Sequence, residues 1–258
     1  MKHVIWVWME NHTAGTVFGA PDAPTENRLR GQCGSSATYQ SVGSPSLPNY
    51  LGATSGDTSG IADDAPPSDH ALTSDNLFRQ TRAAGLTSRS YEEGMTSPCQ
   101  LSDSGRYAVR HNPAAYYVGE QDRAACLRDD VTLGDPTGGP LADDLAHDTL
   151  PAFSFITPDL CHDTHDCPVA DGDQWLTQWL PFLLDSTAYR GGTTVVFIVW
   201  DEPTPMPLLV IAAHVPPGTV TVEPFDHYSL LRTTEELLGL PLLGQAARAQ
   251  TMRTAFSL

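Results

Sequence analysis

His3–Met9, HVIWVWM, is apolar at nearly every position and ends abruptly at Glu10-Asn11-His12-Thr13. A run without polar alternation is expected of a central strand covered on both faces, because a half-solvated strand would alternate. Pro151–Thr157 (PAFSFIT) and Thr193–Trp200 (TTVVFIVW) repeat the pattern, Leu208–Ala213 adds a further strand, and Leu86–Tyr91 reads as a short one. Helical segments lie between them. One opens at Ser46; others are Thr73–Ala84 with Ser74 or Asp75 near its start, Gly172–Ser186 with Trp175, Trp179, Phe182 and Leu183 as core positions, and Ser229–Leu238 ended by Gly239. Strands alternating with helices predict an α/β layered sheet, and the length suits one domain over residues 1–258.

Composition narrows the function. The chain has 31 acidic and 14 basic residues, a formal charge of −17, which argues against a nucleic-acid partner because phosphate backbones need a basic face. No apolar run approaches the roughly 18 residues of a membrane span. An anionic substrate would need a local cation, most simply a metal ion. Cys33, Cys99, Cys126, Cys161 and Cys167 include no CxxC pair, so loop-closing disulfides are the better reading than structural zinc. Cys99 with Cys126 and Cys161 with Cys167 is the expected pairing, one of 15 arrangements that leave one thiol over. Disulfides imply a secreted or extracytoplasmic protein whose leader is absent from this chain; the alternative is a cytosolic protein with free thiols.

Three apolar strands each stop at a carboxylate-bearing turn: Glu10-Asn11, the Asp159–Asp166 segment and Asp201-Glu202. In open α/β sheets, ligands bind beyond the carboxyl ends of the strands, so these groups should gather on one edge as a metal site. Pro158–Cys167, PDLCHDTHDC, is the densest titratable cluster in the chain. Asp226 is placed to cap the last long helix, leaving His227 near its start, where the helix dipole would lower the imidazole pKa. Glu92–Pro140 shows little periodicity and reads as a long functional loop region, with Arg110-His111-Asn112-Pro113, Tyr116 and Tyr117 available to line a pocket. In Gly43–Gly56, GSPSLPNYLGATSG, Ser46 stands at an N-cap position before Leu47-Pro48. It is either a cap or a nucleophile whose charge a helix N-terminus would stabilise.

Taken in order, Glu10-Asn11-His12-Thr13, Ser46-Leu47-Pro48-Asn49-Tyr50-Leu51, His111-Asn112-Pro113, Pro158–Cys167, Trp200-Asp201-Glu202 and Asp226-His227 through Glu235 resemble the bacterial phosphoesterase family. That family holds acid phosphatases and non-haemolytic phospholipases C within the alkaline-phosphatase-like superfamily, and the likeness is nearest to secreted actinobacterial acid phosphatases. The resemblance implies a three-layer α/β/α sandwich with a mostly parallel central sheet. It implies Glu10, Asn11, Asp201 and Glu202 as ligands of one divalent metal ion, Ser46 as nucleophile, and Asn49 as the amide on a phosphoryl oxygen. His111, His162, His165 and His227 fall in pocket-lining segments. The short Glu202–Pro207 stretch departs from relatives with a Gly-rich loop there, which argues against a second metal ion and for a more open pocket.

The chemistry agrees with the resemblance. A serine hydroxyl becomes a competent nucleophile on a divalent cation. Oxygen ligands suit Mg, Ca or Mn, and zinc if a histidine joins. His165 or His227 would protonate the leaving oxygen, while His111, Asn112 and His162 would contact substrate. The expected activity is hydrolysis of phosphate monoesters, phosphoinositides included, through a phosphoserine. Cleavage of phospholipid diesters is the alternative, and a non-enzymatic metal-binding or adhesion module is the remote one.

Overall fold

The computed structural model describes residues 1–258. Its strands are β1 (His3–Met9), β2 (Gly34–Tyr39), β3 (Ser88–Glu92), β4 (Asp130–Thr132), β5 (Phe153–Thr157), β6 (Thr194–Trp200), β7 (Met206–Ala212) and β8 (Val220–Thr221). They form one sheet in the order β4-β3-β5-β1-β6-β7-β2-β8. Only β7 runs against its neighbours, β6 and β2; every other pairing is parallel.

The alternation of β1 assigns the layers. Trp6 and Trp8 face one side, where Trp8 meets Tyr50 of the Ser46–Ser55 helix at 4.8 Å and His227 of the His227–Leu238 helix at 5.0 Å between ring centroids. Met9 faces the other side, against Gly172 of the Val169–Asp185 helix. That helix packs on Pro24–Gln32 through the Thr25 and Thr177 hydroxyls, 2.6 Å apart. Burying each large apolar side chain stabilises by roughly 2 kcal/mol, so an all-apolar strand favours helices on both faces. The expected three-layer arrangement is the one observed.

Several local expectations needed correction. Ser46 is the first helical residue, not the cap: Pro45 occupies the N-cap, and no side chain caps that helix. The Thr73–Ala84 helix starts only at Leu77, because Asn76, rather than Ser74 or Asp75, accepts the Arg79 N–H. The loop-like Glu92–Pro140 region contains short helical turns at Val109–His111 and Pro113–Tyr116, a helix at Asp122–Asp129 and strand β4. Such short elements hold too few residues to reveal a period. Two disulfides, Cys99–Cys126 and Cys161–Cys167, form as expected, leaving Cys33 free.

Candidate active site

The site is built where three adjacent parallel strands end. β5, β1 and β6 are neighbours, with Met9 in register with Trp200. The chains leave the sheet tied together: Asp201 N–H donates to the Met9 carbonyl at 3.1 Å, and Glu10 N–H to the Asp163 carbonyl at 2.7 Å. Glu10, Asp163 and Asp201 therefore lie side by side, and all three are fully buried.

The Ser46–Ser55 helix brings its N-terminus to this edge. Ser46 Oγ donates to Glu10 Oε2 at 3.1 Å and lies close to Asp201, slightly offsetting the rise that burial imposes on that carboxyl. One turn later, Tyr50 donates its hydroxyl to Glu10 Oε1. Residues four apart share a helix face, so Tyr50 was discoverable from the position of Ser46. It was overlooked because a tyrosine in a helix reads first as core.

His111 adds a nitrogen. Its ring stacks on Tyr50, 5.3 Å between centroids with 3° between planes. Its Nδ1 faces Asp163 Oδ2 at 3.2 Å and its Nε2 faces Glu10 Oε1 at 3.5 Å. With Asp163 ionised, as a cation bound beside it would favour, its carboxylate takes the Nδ1–H and leaves a lone pair on Nε2 toward Glu10. Glu10, His111 and His165 present ligand atoms within 4.8 Å of one another.

Burial pushes all three acids up: Glu10 well above the usual range with help from Asp201 and Asp163, Asp163 to about 8 and Asp201 to about 7. Burial also pushes His111 down, with Arg110 and His165 adding to it. Asp201 Oδ2 and His111 Nε2 are buried with no hydrogen-bond partner. Orphaned acceptors beside three desolvated carboxyls are a donor set that a cation satisfies, so the residues fit a divalent metal ion.

The other expected residues divide. Asn11 donates its backbone N–H to Asp201 Oδ1 at 3.1 Å, and Glu202 is half-buried beside Ser44. Asn49 uses its carbonyl oxygen to bind the N–H groups of Val42 and Gly43 at 3.0 and 2.9 Å, leaving its buried Nδ2 without a partner. His165 adjoins the group, 5.7 Å from the His111 ring. His162 does not join it; Glu93 at 2.9 Å and Asp159 at 3.5 Å hold it in a separate cluster. Asn112 is fully buried and bonded to Tyr107 and Asp130, pinning its loop rather than meeting the others.

His227 is the largest departure. It is fully buried, with Nε2 donating to the Asp201 carbonyl at 2.9 Å and Nδ1 accepting from the Tyr39 hydroxyl at 3.0 Å. Its pKa falls to about 4, with burial as the largest cause. Both nitrogens are committed, so the ring braces the Asp201 backbone and has no free position for a substrate proton. Asp226 caps the helix through Ser229 N–H, as expected.

This fold, with its acids at the sheet edge, is that of the alkaline-phosphatase-like superfamily. A Vibrio parahaemolyticus protein of the alkaline phosphatase superfamily matches with a TM-score of 0.61, covering 99% of this chain and 71% of that one at 13% identity, a likeness of fold. The chain belongs to the Phosphoesterase family, whose model matches residues 33–241. It is 28% identical over 253 residues to a phosphatidylinositol-3-phosphatase of Mycobacterium tuberculosis, covering 96% of this chain and 80% of that protein. It is 26% identical over 262 residues to an acid phosphatase of Aspergillus fumigatus, covering 93% of this chain and 55% of that protein. The chain thus spans most of the bacterial relative and about half of the fungal one.

Proposed function

We propose that the protein is an extracytoplasmic phosphatase that hydrolyses phosphate monoesters through a phosphoseryl intermediate on Ser46. One observation carries the reading: the Ser46 hydroxyl, in the first turn of a helix, donates to Glu10 Oε2 at 3.1 Å inside a cluster of buried acids. A structural serine has no need of that company. The relatives' names, acid phosphatase and phosphatidylinositol-3-phosphatase, support the same chemistry. Two disulfides support the location.

Glu10, Asn11, Asp201 and Glu202 would hold one divalent cation, with His111 able to add a nitrogen. These hard oxygen donors favour Mg, Ca or Mn, and the imidazole would favour zinc. When bound, the ion would lower the cost of ionising the Ser46 hydroxyl and neutralise charge on the phosphoryl group. The chain's own residues do the rest. Ser46 Oγ forms its bond to phosphorus as the ester oxygen departs in line. The unpartnered Asn49 Nδ2 is free to donate to a phosphoryl oxygen, a contact of the kind worth about 3 kcal/mol in the transition state. His165, partly exposed beside the group, protonates the leaving oxygen from Nε2 once substrate draws the Arg110 guanidinium, 3.3 Å away, off that nitrogen, and later takes a proton from the attacking water.

The experiment is acid-quench trapping of labelled phosphoserine with a slow monoester, in the wild type and in Ser46→Ala. Loss of both label and turnover in the variant is expected. Near-normal turnover by Ser46→Ala would exclude the reading. Assaying a phosphocholine ester alongside distinguishes phospholipase C activity.

A further inference from the structure

We propose that Arg110 binds the third nonbridging oxygen of a monoester's phosphoryl group, and thereby sets a preference for monoesters over diesters. The inference rests on the functional reading above and names the residue that selects its substrate class.

Arg110 sits on the Val109–His111 turn, one residue before His111. Its side chain is tied from two sides to residues around the nucleophile. On one side Nε faces Asp64 Oδ2 at 4.0 Å, while Asp64 Oδ1 accepts the N–H of Leu47, the residue after Ser46, at 2.9 Å. On the other, Nη2 donates to His165 Nε2 at 3.3 Å. His165 Nδ1 in turn lies 2.7 Å from Asp166 Oδ1 on the far side of the ring.

These contacts leave Arg110 open. The arginines that brace the fold close onto their acids: Arg79 and Arg82 lie 2.5 and 2.7 Å from Asp122. At 4.0 Å, Arg110 and Asp64 are well beyond the roughly 2.8 Å of a charge-assisted fork. A guanidinium carries five N–H donors, and Arg110 uses only one of them in a hydrogen bond, to His165. Its side chain is 18% exposed, so it is held in place yet reachable. Otherwise the charges around Ser46 are acids: Glu10, Asp64, Asp163, Asp201 and Glu202. A dianion arriving there gains from a cation beyond any metal ion, and Arg110 is tied through Asp64 to the residue after Ser46.

The chemistry separates the two ester classes. A monoester presents three nonbridging oxygens, whereas in a diester the third carries the second substituent. Asn49 would take one oxygen and a cation held by the acids another, which leaves the third for the guanidinium fork. A diester would place an uncharged group against it.

The test compares p-nitrophenyl phosphate and bis-p-nitrophenyl phosphate on the wild type, Arg110→Gln and Arg110→Lys, with inorganic phosphate as competitive inhibitor. Arg110→Gln should lose about 100-fold in kcat/KM on the monoester and less than about threefold on the diester, with inorganic phosphate inhibition weakened about tenfold. Arg110→Lys, which keeps the charge without the fork, should recover part of the monoester rate. If an active wild type gives an Arg110→Gln variant whose monoester-to-diester ratio and phosphate inhibition are unchanged, this inference fails and the functional reading stands. A wild type inactive on both esters overturns the two together.

Discussion

Asp163 Oδ2 lies 3.2 Å from His111 Nδ1, and the other oxygen of the same carboxylate accepts the His165 N–H at 2.7 Å. One acid from the loop after β5 thus fixes the tautomer of one histidine and the backbone of another. Asp163→Asn would offer an N–H to Nδ1 and turn the protonated nitrogen toward Glu10. Activity should fall about 10- to 100-fold, the range for residues that orient ligands. The drop should appear in kcat with KM changed little, and far-UV circular dichroism should be unaltered.

Removing metal should do more than stop turnover. Glu10, Asp163 and Asp201 are pushed up by burial and by one another, so without a cation they repel or must take up protons. Dialysis against a chelator should abolish phosphatase activity and lower the melting temperature, more at pH 8 than at pH 5. Adding back a divalent ion should restore both, which calorimetry with and without the ion would record.

Glu26 offers a pH effect away from the site. Burial pushes its carboxyl up to about 9, with Asp173 beside it adding to the shift. The native state therefore holds a proton that the unfolded chain releases near the ordinary carboxylate value of about 4.3. Between those values the native state binds more protons, so stability falls as pH rises through that window. Glu26→Gln should flatten the decline and raise the melting temperature at pH 8 by at least about 2–4 °C, the equivalent of about 1 kcal/mol. At pH 4 the two proteins should melt together.

Gly172 lets the Val169–Asp185 helix press against the site. A Cβ there would stand 2.4 Å from Thr164 Cγ2 and 2.8 Å from Met9 Cε. Thr164 also donates its hydroxyl to the Glu10 carbonyl at 2.8 Å. Gly172→Ala should destabilise by about 1–3 kcal/mol and reduce activity by shifting the turn that carries Asp163. Urea unfolding paired with kcat measures both, and stability unchanged within error would show that the helix can recede.

Much of the site was legible because strand ends are legible. HVIWVWM, PAFSFIT and TTVVFIVW each stop at acids, and an apolar run covered on both faces must stop where it meets water. Tyr50 and Asp64 were given no role, and Arg110 and Asp163 were named only within their segments, since each is an ordinary residue until another part of the chain arrives beside it. His162 and Asn112 were expected at the site because they neighbour His165 and His111 in sequence. Glu93 and Asp130 claim them instead.

The serine was singled out by the resemblance to a known family, and the disulfide pairing is one of 15 arrangements that the sequence permits. The sequence by itself determined the layered fold and the edge on which the acids gather. Those follow from periodicity, turn residues and spacing, which act within a few residues. Only the tertiary structure decided which histidine faces Glu10 and which braces Asp201. It also decided that Ser46 begins its helix rather than capping it, and that Arg110 lies between Asp64 and His165. The reason is that hydrogen bonds between residues 26 to 190 positions apart are set by burial and close packing, and no local pattern along the chain encodes them.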